Sequence, residues 1–102
     1  MMLGHMVYFT LKDSSEEAVQ RLIASCKEHL SGHPGTVFFA AGIRVPDLVR
    51  EVNDKEFHVA LQLVFESRQA QDAYQVHERH ERFIETNRDN WAQVRVFDAD
   101  LS

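Results

Sequence analysis

Two segments of the sequence, residues 3–11 and 57–65, are rich in apolar, aromatic and β-branched side chains, which favours β-strands. In the first, Val7 and Phe9 share one face of the strand, while Tyr8 lies on the other. A strand turns successive side chains to opposite faces of its sheet, and here both faces are largely apolar. The sequence therefore predicts a sheet that needs a covering layer on each side.

The rest of the chain alternates with these strands in a recognisable order. Apolar residues recur with the period of an α-helix between Ser14, which has capping-box spacing to Glu17, and Gly32. A strand is predicted over 36–43, a helical region runs from Ser67 to about Trp91 with an interruption near His77, and a last strand covers 94–97. The order β-α-β-β-α-β predicts a ferredoxin-like α+β fold with an antiparallel sheet.

Two helices on crossover connections cover only one face of such a sheet. The second face then needs another layer, and the simplest supplier is an identical subunit packed sheet to sheet. We therefore expect a homodimer.

Size and charge narrow the classes of function. The 102 residues are enough for one core, so we expect residues 1–102 to form one domain. The net charge is −5, and Lys and Arg are scattered among acidic residues, which argues against nucleic-acid binding.

No apolar run reaches the ~20 residues of a membrane helix. One cysteine, Cys26, excludes an intramolecular disulfide, and Met1 leads directly into the first strand without a leader, so we expect a cytoplasmic protein.

The stretch AYQVHERHERF, residues 73–83, combines one tyrosine and two histidines with many charges. Glu78 and Arg82 have the i, i+4 spacing of a solvated ion pair. Tyr74 and His80 then lie toward the inward edge of the helical region. His77, near the centre of its apolar stripe, is expected to make a structural hydrogen bond at the helix break.

Three parts of the sequence resemble the stress-responsive A/B barrel (Dabb) family. They are His5-Met6-Val7-Tyr8-Phe9, the segment Tyr74-Gln75-Val76-His77-Glu78-Arg79-His80, and Trp91 followed by Val94-Arg95-Val96-Phe97-Asp98. The family usually has proline directly after the first histidine of the His-x-x-His pattern, where this sequence has Glu78. The resemblance implies a dimeric α+β barrel made by two ferredoxin-like subunits.

The resemblance also implies a reaction and its residues. Plant relatives that act as polyketide cyclases close a linear poly-β-keto chain by intramolecular aldol condensation, without metal or organic cofactor. Matching by motif, their reactive tyrosine and histidines correspond here to Tyr74, His80, His5 and His58. Imidazole suits the task of a base because its ordinary pKa of ~6.5 lies near working pH, and a phenol can donate a hydrogen bond to an enolate oxygen.

A pocket for such a compound would lie between the sheet and the helices. We expect His80 as base and Tyr74 as donor, with a substrate-binding wall of His5, His58, Val7, Phe9, Leu22, Ile23, Phe83 and Trp91, and with Cys26 as a further apolar side chain. The ligand would be small and largely apolar, carrying a carbonyl or an aromatic ring.

Other interpretations remain open from the sequence. Tyr74 and His80 could be polar side chains that only shape the fold of a non-catalytic, stress-associated or ligand-carrying protein. An oxygenase or isomerase of another dimeric α+β barrel family is a third possibility. We expect no metal site, because His77 and His80 lack the i, i+4 spacing and the acidic partner of a known motif. His29 and His33, near the end of the first helix, are expected at the surface.

Overall fold

The computed structural model describes residues 1–102 and has a four-stranded sheet with helices on one face. The elements are β1 (Met2–Leu11), α1 (Glu16–Leu30), β2 (Thr36–Ile43), β3 (Val59–Phe65), α2 (Arg68–Gln75), α3 (Glu78–Asn87), a 3₁₀ turn (Arg88–Asn90) and β4 (Trp91–Leu101). The strands lie in the order β2-β3-β1-β4, and all neighbours are antiparallel. The predicted ferredoxin-like α+β fold is confirmed, with the second helical region divided in two.

Element ends differ from the sequence prediction in two places. The cap of α1 is Ser15, whose Oγ accepts a hydrogen bond from the Ala18 N–H, and not Ser14. The last strand is 11 residues long, whereas the sequence predicted 94–97. Pairing with β1 from Met2 to Leu11 extends it, because ladder hydrogen bonds outweigh the low strand preference of its two aspartates.

The core lies between the helices and the inner face of the sheet. Alternate residues of β1 and β3 point toward the helices and meet the apolar stripe of α1. Cys26 is fully buried there, as predicted, and burial raises the pKa of its thiol to about 12. A thiol with so high a pKa carries almost no thiolate, so Cys26 acts as a small apolar residue.

The outer face of the sheet has no helix over it. Its middle carries the partly exposed side chains of Met6 and Tyr8, and the large apolar rings of Phe38 and Phe97 toward its edges are each 53% exposed. The two-faced apolar character predicted for the sheet is thus present. None of the helices is both long enough and apolar enough to cross a lipid bilayer.

Candidate functional site

The helical region that carries the tyrosine and histidines breaks at His77. Helix α2 ends at Gln75, and α3 starts at Glu78 with His77 as its N-cap. The His77 Nδ1 accepts a hydrogen bond from the Arg79 N–H at 3.0 Å, so the predicted interruption and the predicted structural role of His77 are both confirmed. Glu78 occupies the first turn of α3, where an acidic side chain favours the helix dipole.

The break brings Tyr74 and His80 together. Their ring centroids lie 4.8 Å apart with the planes at 73°. On one continuous helix, residues six apart would sit about 120° from each other and would not meet. Two more histidines surround Tyr74, since its ring centroid lies 5.9 Å from that of His5 and 5.0 Å from that of His33.

The prediction of His33 as a surface residue is wrong. It is 4% exposed, with its Nε2 placed 2.8 Å from the His29 carbonyl oxygen and its ring packed edge-on against Tyr74 and His77. The loop turns back under α2 because Gly35 adopts φ +84°, a conformation open to glycine. His29 is also largely covered, with 15% of its side chain exposed.

His5 has a partner that sequence reasoning missed. Its Nδ1 lies 2.5 Å from Asp98 Oδ1, because His5 and Asp98 are directly opposite each other on β1 and β4. A carboxylate on Nδ1 favours the tautomer with the proton there and leaves Nε2 as an acceptor. Only the β1–β4 register could have revealed this pair in advance.

A cavity of about 640 Å³ opens between the sheet and α2 and α3. Seven of the predicted site residues line it: His5, Val7, Phe9, Tyr74, His80, Phe83 and Trp91. Strand β4 forms part of its wall through Val94, Val96 and Asp98. Eleven of its 18 lining residues are hydrophobic, Tyr74 with its hydroxyl among them, and the polar ones are the His5–Asp98 pair, His80, Arg68, Gln71, Asp72 and Gln75.

The remaining predicted residues lie elsewhere. Leu22 and Ile23 are buried in the core on α1, as is Cys26, and none of them lines the cavity. His58 precedes β3, and its Nδ1 accepts a hydrogen bond from the Leu11 N–H at 3.0 Å. The structure does not bring His58 together with Tyr74 and His80.

Burial sets the protonation states of the two central groups. It lowers the pKa of His80 below 6.5, and the neighbouring His5 and His33 lower it further. Burial also raises the pKa of the Tyr74 hydroxyl. Near neutral pH the site thus pairs a neutral imidazole with a protonated phenol. These are the states required of a proton acceptor and a hydrogen-bond donor.

The side chains that could ligate a metal ion do not form a cluster. No group of three or more His, Cys, Asp or Glu side chains has a geometry that could hold a metal ion.

Several solved structures have a fold similar to that of this chain over nearly its whole length. A Dabb family protein with a ferredoxin-like fold from Mesorhizobium loti is 21% identical, with 99% of this chain and 97% of that chain covered and a TM-score of 0.81. A dimeric ferredoxin-like protein of unknown function from Thermobifida fusca is 17% identical, with 99% and 92% covered and a TM-score of 0.82. The hydroxynitrile lyase from Passiflora edulis is 17% identical, with 99% and 94% covered and a TM-score of 0.78. At these identities the likeness shows the fold.

Sequence comparison gives the family. A search of curated proteins found no match. The family model of the stress responsive A/B barrel domain (Dabb) matches residues 3–101. Because this match covers nearly the whole sequence, the chain belongs to the stress-responsive A/B barrel domain family.

Proposed function

We propose that the protein binds a small, largely apolar carbonyl or aromatic compound in its 640 Å³ cavity and acts on it by cofactor-free acid/base catalysis of the aldol type. The contact between Tyr74 and His80 at the wall of this cavity carries the proposal. A neutral imidazole beside a protonated phenol, in an apolar setting, suits removal of a proton α to a carbonyl.

The proposed reaction moves one proton and forms one carbon–carbon bond, with no net gain or loss of atoms. The His80 imidazole accepts the α proton, and the electron pair moves onto the carbonyl oxygen to form an enolate, which the Tyr74 hydroxyl stabilises by donating a hydrogen bond. The enolate carbon attacks a second carbonyl of the same molecule, forming a carbon–carbon bond, and a proton is returned to the new alkoxide. His5, whose Nδ1 is held by Asp98, offers its Nε2 as an acceptor for a hydroxyl group of the substrate. A placed base contributes on the order of 10²–10⁴-fold in rate.

The assembly is part of the proposal. The uncovered outer face of the sheet, with Tyr8, Phe38 and Phe97, is an apolar surface that a second copy of the chain would cover. The similar Thermobifida fusca protein is described as dimeric. We therefore propose a homodimer packed sheet to sheet, with one cavity in each subunit on the opposite side of the sheet.

Proton exchange into a simple ketone tests the chemistry without knowledge of the substrate. α-Tetralone incubated with the protein in D₂O should incorporate deuterium at its α carbon faster than in buffer, as followed by NMR. Replacing His80 by Ala should abolish the enhancement, and Tyr74→Phe should reduce it about 10-fold or more, because the enolate loses its donor. His29→Ala changes a histidine outside the cavity and is expected to leave the rate unchanged.

One observation favours a second candidate function. Asp98 pairs with His5, so His80 has no carboxylate to orient it, and its Nδ1 is buried without a partner. A non-catalytic ligand-binding protein would not need His80 to be oriented by a carboxylate. Binding of α-tetralone without any enhancement of exchange by the wild-type protein would support that function and contradict the catalytic one.

A further inference from the structure

Buried polar atoms without a partner are concentrated around the cavity. Four side-chain atoms in the chain are buried and make no hydrogen bond: Thr36 Oγ1, Gln71 Oε1, His80 Nδ1 and Trp91 Nε1. The last three belong to residues that line the cavity. Such atoms are rare in folded proteins because they lose hydrogen bonds to water without replacement, so their grouping at one cavity needs a reason.

Gln71 is the member of this group without an assigned role. His80 belongs to the proposed reaction, and Trp91 also borders a second, smaller cavity of about 330 Å³. Gln71 is 7% exposed, among the few polar side chains in the buried set. An apolar side chain would fit such a position at lower cost in stability, which points to a role in binding.

The position of Gln71 on α2 defines where its amide acts. Gln71 precedes Tyr74 by three residues, and residues at i and i+3 of a helix are neighbours with Cβ atoms about 5–6 Å apart. Both residues line the same cavity. A ligand that contacts Tyr74 in this cavity therefore lies beside the helix position that carries the Gln71 amide.

We propose that Gln71 determines specificity by hydrogen bonding to a hydroxyl group of the ligand, close to the carbonyl that Tyr74 binds. This inference rests on the proposed function of the cavity. An amide offers both an acceptor and a donor, exchanged by rotation about its last side-chain bond, and a hydroxyl is complementary to either. A ligand without the hydroxyl leaves the amide unpaired, and sites of this type discriminate strongly against such analogues.

Two ketones of matched shape test the proposal. 3-Hydroxybenzophenone carries a hydroxyl group meta to its carbonyl, and 3-methylbenzophenone replaces that hydroxyl by a methyl group of similar size. Calorimetric titration of the wild-type protein should show the hydroxylated ketone binding about 10-fold tighter or more, the effect of one hydrogen bond to a buried amide. In Gln71→Met the preference should fall to about one, and in Gln69→Met, an exposed glutamine of the same helix, it should persist.

The outcomes separate this proposal from the function on which it rests. Equal preference in the wild-type protein and in Gln71→Met, with both ketones bound, overturns the role of Gln71 and leaves the cavity as a binding site. Failure of the wild-type protein to bind either ketone overturns both. Thermal unfolding checks the variant itself: Gln71→Met should melt at the wild-type temperature or above, because it removes an unpaired buried amide. A marked loss of thermal stability would instead assign Gln71 a structural role and overturn the proposal.

Discussion

Tyr74 and His80 are in ring contact because the chain between them leaves the helical path at His77, and no proline causes the break. The carbonyl of Tyr74 accepts a hydrogen bond from the His77 N–H at 3.2 Å, and the ring of His77 then caps the next helix. Glu78, the residue after His77, begins α3. The bend therefore forms without proline, and we expect the contact between Tyr74 and His80 to depend on the His77 cap.

Replacing His77 by Ala should destabilise the protein and displace His80 from Tyr74. Loss of an N-cap side chain costs about 0.5–2 kcal/mol in the free energy of unfolding, which urea titration measures. His77→Asn is the matched variant, because Asn is among the best N-cap residues and should recover most of the loss. Equal stability of His77→Ala and the wild-type protein would contradict the role of this cap.

The loop that carries His33 offers a second comparison, between two glycines. Gly35 has φ +84°, and a Cβ there would lie 2.5 Å from the Cβ of Ala70, whereas Gly32 has φ +74° with nothing within 4 Å. Gly32→Ala should cost only the left-handed backbone strain, about 1–2 kcal/mol. Gly35→Ala adds a steric clash and should cost clearly more, with His33 displaced from Tyr74. Equal losses in urea unfolding would show that the contact with α2 is not needed.

The sequence was sufficient for the architecture because each element carries its own local signal. The stripe from Val19 to Leu30 has helical period, and the apolar strands define both faces of the sheet. The interruption predicted near His77 is present as the break between α2 and α3. Family motifs then identified Tyr74 and His80 as a pair.

The surroundings of that pair depended on contacts between distant parts of the chain. His33 lies in a loop with glycine and proline, a composition typical of surface turns, and only the path of that loop beneath α2 buries it. Asp98 meets His5 through a pairing across 93 residues. His58 matches a family position by motif, but its Nδ1 accepts a hydrogen bond from the Leu11 N–H. Register and loop path, which no local pattern encodes, decide all three cases.

The unfolding free energy should depend on pH through His33 and His80. Burial lowers the pKa of both below the ordinary value of 6.5, so the unfolded chain binds protons at a higher pH than the folded protein. Stability should be constant above about pH 7 and fall as the pH drops below about 6.5. Urea unfolding at pH 7.5 and 5.5 measures the difference, and His80→Asn should make it smaller. A stability that stays level or rises between these two pH values would show that these histidines are not buried in their neutral form.

A charge on the outer face of the sheet should separate the proposed subunits. The ring of Phe97 is 53% exposed on this face, and its centroid lies 5.9 Å from that of Tyr8 and 5.9 Å from the Arg95 guanidinium. A carboxylate at position 97 would lose its hydration in a dimer, a cost that an ion pair with Arg95 offsets only in part. Sedimentation should show a dimer for the wild-type protein and a monomer for Phe97→Glu. Val76→Glu replaces an apolar residue that is 77% exposed between α2 and α3, and it should remain a dimer.

Because the cavity lies on the other side of the sheet, the Phe97→Glu monomer should still bind 3-hydroxybenzophenone if it stays folded. A wild-type protein that sediments as a monomer at every concentration would leave the outer face exposed to water and contradict the proposed assembly.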